Sequence, residues 1–276
     1  MKGWRWRSSS KHSPLLILLL WLAIVPLARA AGSSPALLAL IIDDLGDRWD
    51  YGQRALALPG TVTYAILPGT PYGTRLARLA GNEGREVMLH QPMEALDHAD
   101  LGVGGLDSRM SHDEFVRTLR TNLDALPHVR GVNNHMGSSL TQNQEAMGWV
   151  MDELRRRGGL YFVDSRTISD SVARRVARHE GVATVGRDVF LDHVRTTAEI
   201  EKQLVVAMKL ARERGTVVVI GHPYPETLTV LEAALPRLAQ FDIAQVSVSQ
   251  VIEAKKQRSN PPWHVSLSPS PTAARN

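Results

Sequence analysis

Short apolar, β-rich runs alternate with segments of helical spacing along most of this chain, and that alternation limits the fold more than any other feature. The runs are LLALII (37–42), TVTYAIL (61–67), EVMLH (86–90), VRGVNNH (129–135), LYFVDS (160–165), GTVVVIGH (215–222) and IAQVSVS (243–249). Between most of them lie segments such as SHDEFVRTLRTNLDAL and TAEIEKQLVVAMKLARERG. In the first of these, Phe115, Leu119, Leu123 and Leu126 mark one helical face, and Ser111 stands three residues before Glu114 as a capping box. Strands alternating with helices imply parallel pairing, in an open doubly wound sheet or a barrel. The runs read as buried on both faces, as such sheets require. DDLGDRWD after the first run lacks the glycines of a phosphate loop, and no period of 20 to 50 residues repeats.

The chain ends set the compartment. Residues 1–13 carry Lys2, Arg5, Arg7 and Lys11 and no acid, PLLILLLWLAIVPLA follows, and Ala28-Arg29-Ala30 has the small-x-small pattern of a cleavage site. Residues 1–30 are therefore expected to be a secretory signal peptide, with an uncleaved N-terminal anchor as the alternative. The expected location is periplasmic or secreted, with no stable membrane span after cleavage. Of 32 Lys/Arg, five lie in that segment, leaving 27 against 28 Asp/Glu, so the mature chain is near neutral. The basic balance of the precursor thus gives no reason to expect nucleic acid as a partner. Cysteine is absent, which excludes disulfides and thiol catalysis. From Gln257 the Pro/Ser-rich sequence reads as a disordered tail, leaving 31–256 as one domain with a sizeable core.

Carboxylates and imidazoles collect where the runs end. Asp43 and Asp44 follow the first, His90 closes the third, His135 the fourth and Asp164 the fifth, and His222 follows TVVVIG. In parallel α/β folds the carboxyl ends of strands form the mouth of the active site. Each residue alone has a plainer explanation, as a helix cap or a hydrogen-bonded structural histidine. Together they suit a divalent metal, zinc by donor type, with a position open for water. On an extended chain Asp43 and Asp44 point to opposite sides, so one is expected to bind metal and the other to take a proton.

The blocks IIDDLG, EVMLHQPME, GVNNHMGS, YFVDSRT and VVVIGHPYPETL resemble the divergent polysaccharide deacetylase family, a branch of the NodB-like carbohydrate esterases. The resemblance covers nearly all of 36–256. It implies a distorted (β/α)7-8 barrel of the NodB-like glycoside hydrolase/deacetylase type, and hydrolysis of acetyl groups on an envelope or extracellular glycan. By that resemblance Asp43 is the general base, Asp44 and His90 hold the metal, and His222 is the general acid. The better-studied relatives have His-x-x-x-His where this chain has His90 followed by Glu94, and an Arg-Pro-rich block where it has GVNNHMGS. The third metal ligand is then His135 or Glu94. His135 is preferred because it closes a strand, and Glu94 follows Pro92 in a loop.

Residues expected around this set are Asp164, as an orienting carboxylate for His222 or the Asp43 side, and Arg166, as its neutralising partner. Asn133 and Asn134 either satisfy backbone groups or donate to an oxyanion. Tyr224 either stacks on a sugar ring or covers the barrel rim. His98, His112, His128, His179, His193 and His264 read as surface residues. The departures from the family pattern keep open a glycan- or protein-binding envelope component on the same barrel. Phosphoester hydrolysis would call for a second ion or basic clamps that this motif set lacks.

Overall fold

The computed structural model describes residues 34–259. One sheet runs through it, and every strand pair in it is parallel. The elements in chain order are β1 (Ala36–Leu45), α1 (Trp49–Leu56), β2 (Thr63–Ile66), α2 (Gly73–Asn82), β3 (Glu86–Met93), α3 (His112–Ala125) and β4 (Val129–Met136). After these come α4 (Gln144–Arg157), β5 (Tyr161–Asp164), α5 (Ala173–His179), β6 (Thr184–Gly186), β7 (Val189–Phe190) and α6 (Thr197–Arg214). The chain then forms β8 (Thr216–Gly221), α7 (Pro225–Ala234), β9 (Ile243–Gln245) and α8 (Val248–Ser259).

The strand order is β6-β5-β4-β3-β2-β1-β8-β7, with β9 added beside the start of β1. The first and last strands of the path, β6 and β7, are the two edges, and they do not pair with each other. They are joined by chain instead: Arg187 N–H donates to Asp164 O on one side and Asp188 N–H to Val218 O on the other, at 2.9 and 2.8 Å. This is the expected distorted barrel, curled until one short segment spans the gap between its edges.

Two apolar layers follow from strand alternation. Leu38, Leu40 and Ile42 of β1 pack outward with Leu89, Val132, Phe162, Val217 and Val219 against the helices. Ala39 and Ile41 point inward with Met88, Tyr161, Val163, Val218 and Ile220, and Val248 and Val251 of α8 join this inner cluster. The expected helices form as read, including the reciprocal capping box of Ser111 and Glu114 on α3. Two boundaries differ. The run IAQVSVS is strand only through Gln245 and then turns into α8, where Glu86 accepts from the Val248 N–H at 2.8 Å. That helix continues to Ser259, so Gln257, Arg258 and Ser259 are helical, where the sequence led us to expect tail. The expected signal peptide and the remainder of the tail lie outside the described residues.

Candidate metal and catalytic centre

The inward parity that fills the barrel also builds its mouth. Ala39 and Ile41 lead to Asp43, Met88 to His90, Gly131 to Asn133 and His135, and Val218 and Ile220 to His222, two residues at a time. In the β3–β4 register His90 faces Asn133.

The parity breaks once, at Asp44. Its φ of 55° is left-handed, a conformation in which Asp is among the better tolerated residues. The β1–β2 register shifts between Ile42 and Leu45, and Leu45 returns to the outer layer. Both carboxylates therefore meet the same imidazole: His90 Nε2 lies 3.0 Å from Asp44 Oδ1 and 3.7 Å from Asp43 Oδ2. This corrects the expectation that the adjacent aspartates point to opposite sides, which holds only for unbroken extended chain.

Asp44 Oδ1, His90 Nε2 and His135 Nδ1 form a triangle with edges of 3.0, 2.8 and 3.1 Å. Donors about 2.0–2.2 Å from a shared ion stand roughly 3 Å from one another, so the set fits a divalent metal. The buried Asp44 Oδ1 has no aligned hydrogen-bond donor despite these distances, as expected of ligand atoms that face a common point. Burial opposes charge on Asp44, but the imidazoles of His135 and His90 overcome it and hold this carboxylate well below its usual range. Burial also opposes charge on His90. The Asp43 and Asp44 carboxylates prevail and raise its pKa to about 9 without an ion. Among the described residues this is the one group that could hold a metal.

Asp43 is buried, and burial raises its pKa against the opposing pull of His90 and His222. Its Oδ1 accepts from Asn133 Nδ2 at 2.8 Å, and Asn133 Oδ1 lies 2.8 Å from His90 Nδ1. His222 completes the mouth, its Nε2 3.7 Å from Asp44 Oδ2. Its other nitrogen, Nδ1, is 2.9 Å from Asp192 Oδ1, while Asp192 Oδ2 accepts from the His222 backbone N–H and from Thr227 Oγ1 at 2.6 and 2.7 Å. Burial lowers the His222 pKa, but the Asp192 carboxylate together with those of Asp44 and Asp43 outweighs it and the net shift is upward.

The orienting carboxylate of His222 is thus Asp192, not Asp164. Asp164 accepts from Ser171 Oγ and from the Arg166 backbone N–H, both at 2.9 Å, and closes its own loop. Arg166 meets it through that amide; among the described residues its guanidinium forms no ion pair with Asp164. Asp192 escaped sequence reading because β7 has two residues, too few to show a period; the carboxylate directly after VFL was the available signal.

The two asparagines divide by parity. Asn133 joins the site, whereas Asn134 donates to Met136 O at 2.7 Å and accepts from Ser165 N–H at 2.9 Å, satisfying backbone. Glu94 stays out of the ligand triangle: its Oε2 accepts weakly from Ser108 N–H and Ser139 Oγ at 3.3 and 3.4 Å. The Tyr224 ring stacks on His222 with centroids 5.3 Å apart, and the Arg195 guanidinium carbon lies 3.5 Å from its centre, so it is already engaged at the rim. His98, His112, His128, His179 and His193 are exposed, as expected, and His264 lies outside the described residues. Among the described residues no helix is long and apolar enough to cross a membrane.

The curled parallel half-barrel with its helices matches the NodB-like (β/α) fold. The model of the divergent polysaccharide deacetylases matches residues 40–252, and the chain belongs to that family. It is 39% identical over 253 residues to the YibQ protein of Escherichia coli (strain K12), covering 90% of this chain and 77% of that one. Among solved structures, protein ATU2773 of Agrobacterium tumefaciens C58 superposes with a TM-score of 0.76 at 23% identity, over 81% of this chain and 92% of that chain. The peptidoglycan deacetylase PdaC of Bacillus subtilis superposes at 0.50 with 16% identity, over 82% and 94%. These two likenesses concern the fold.

Proposed function

We propose that this protein is a secreted, metal-dependent deacetylase that removes acetyl groups from an envelope or extracellular glycan. The observation that carries the reading is the ligand triangle of Asp44, His90 and His135, set between a buried Asp43 and an Asp192-anchored His222. A divalent ion held there, zinc by donor type, would polarise the acetyl carbonyl and ease deprotonation of a water. Asp43, with its pKa raised by burial, takes the proton from that water. As the water oxygen bonds to the carbonyl carbon and the carbon–nitrogen bond breaks, His222 gives its Nε2 proton to the leaving amine. Asp192 fixes the ring for that step by holding Nδ1.

Secretion rests on the basic, apolar and small-x-small segments of residues 1–30. The peptidoglycan substrate in the name of the Bacillus neighbour suggests the first glycan to try. The test is metal content measured beside acetate release from peptidoglycan and acetylated chito-oligomers. One bound ion with acetate release supports the reading. One bound ion without acetate from any of these glycans sinks the reaction and leaves a binding protein on the same barrel.

A further inference from the structure

A second feature lies away from the mouth, between the two sheet edges. A cavity of about 910 Å³ is bounded by α5 and the start of β6 on one side and by Thr216 of β8 and helix α8 on the other. Arg166, Arg174, Arg178, Lys255 and Lys256 line it, and among the described residues none of them has a carboxylate within ion-pair distance. Arg214 and Arg258 bring the cations to seven, against one lining carboxylate, Asp188. That carboxylate is already committed, 3.3 Å from Arg214 and accepting from the Val218 N–H at 2.9 Å.

Such an arrangement is costly without an anion. Arg174 Nε is buried with no acceptor. Burial, and then the positive charge of Arg178, lower the Arg174 pKa; burial lowers that of Lys255, and the charges of Arg174, Arg214 and Arg258 add to it against the opposing pull of Asp188. Like charges drawn together repel, and the half-buried Arg174 and Lys255, set among the exposed Arg166, Arg178, Arg214, Lys256 and Arg258, also lose hydration. Residues 260–276, which follow α8, contain no Asp or Glu that could neutralise them.

We propose that this cleft binds a soluble anion carrying two or more phosphate groups, at a site separate from the catalytic mouth. Guanidinium forks match phosphate oxygens in pairs, and lysines add point charges around them. The volume lies within the range of roughly 300–1,000 Å³ typical of small-molecule sites, too large for one inorganic ion alone. The Arg174 Nε gains the acceptor it lacks, and the excess charge is neutralised.

Calorimetric titration of the purified protein with tripolyphosphate at physiological ionic strength tests this. Saturable binding of one equivalent is expected. Two double variants follow: R174M/K255M inside the cleft, and R178E/K256E, whose exposed side chains can be exchanged without disturbing the core. Each should weaken binding roughly tenfold or more, the loss expected from even one charge-assisted contact. The ligand-free R174M/K255M protein should melt no lower than the parent, because the substitutions relieve repulsion. Asp43→Asn should bind tripolyphosphate unchanged, which separates this site from the fate of the deacetylase reading. No saturable heat, undiminished affinity in both double variants, or loss of binding in Asp43→Asn would each overturn the proposal.

Discussion

Asn133 faces His90 across the β3–β4 register, and its side-chain oxygen lies 2.8 Å from His90 Nδ1. Its amide nitrogen donates to the Asp43 carboxylate, also at 2.8 Å, which fixes which way the amide points. The oxygen must then accept from His90 Nδ1–H, so the Nε2 lone pair is left to face Asp44 and His135. Asn133 is a positioning residue that couples the base to a metal ligand. Asn133→Ala should lower metal affinity roughly 10- to 100-fold in a competition with chelators, the range typical of partners behind metal ligands. Unchanged affinity in that titration would show that the tautomer is set elsewhere.

The two adjacent aspartates should fail in different ways. Asp43→Asn is isosteric and leaves the triangle intact, so metal content should stay near one equivalent while acetate release falls by roughly 10²- to 10⁴-fold, the scale of a lost acid–base catalyst. Asp44→Asn removes the ligand charge, so metal content itself should fall. Elemental analysis of the two variants side by side distinguishes them, and equal metal loss in both would refute the division of roles.

Most of the fold and part of the site could be read from residue order, and the differences have local causes. The β-rich runs and the amphipathic α3 and α6 carried their periods plainly, and polar residues ending different runs pointed to one mouth. Strand parity also separates Asn133 from Asn134, but applying it requires the β4 register, which residue order alone leaves open. The convergence of Asp43 and Asp44 depends on a single left-handed residue, and no pattern in IIDDLG marks where the extended chain breaks. Asp192 depends on a two-residue strand that exists only because the barrel edges need joining. Long periodic elements announce themselves, whereas a bulge and a bridging segment are set by tertiary closure.

Gly131 shows how the inner layer supports the mouth. It sits one inward step below Asn133, and a Cβ there would land on the ring of Tyr161, which is buried on the adjacent strand. Gly131→Ala should therefore destabilise the protein by about 1–3 kcal/mol, the usual cost of overpacking. Because β4 also carries His135, metal affinity should drop with it. Urea unfolding checks the first effect, and an unchanged midpoint would mean that Tyr161 moves aside freely.

The pH dependence should report the anchoring of His222. The ring must carry its Nε2 proton to serve as an acid, so activity is retained below its pKa and lost as pH rises through it. Burial would place that pKa below the ordinary histidine value, yet the Asp192 carboxylate 2.9 Å from Nδ1, helped by the charges of Asp44 and Asp43, carries it above. The alkaline limb of the kcat/KM profile is therefore expected above the ordinary value of about 6.5. Asp192→Asn removes the charge and leaves burial unopposed by it, so the limb should move to lower pH. Loss of ring orientation should add a fall in the plateau rate of roughly 10²-fold or more. A profile whose alkaline limb stays in place in Asp192→Asn, measured as acetate release across the pH range, would remove His222 from the role of acid and assign that limb to another group.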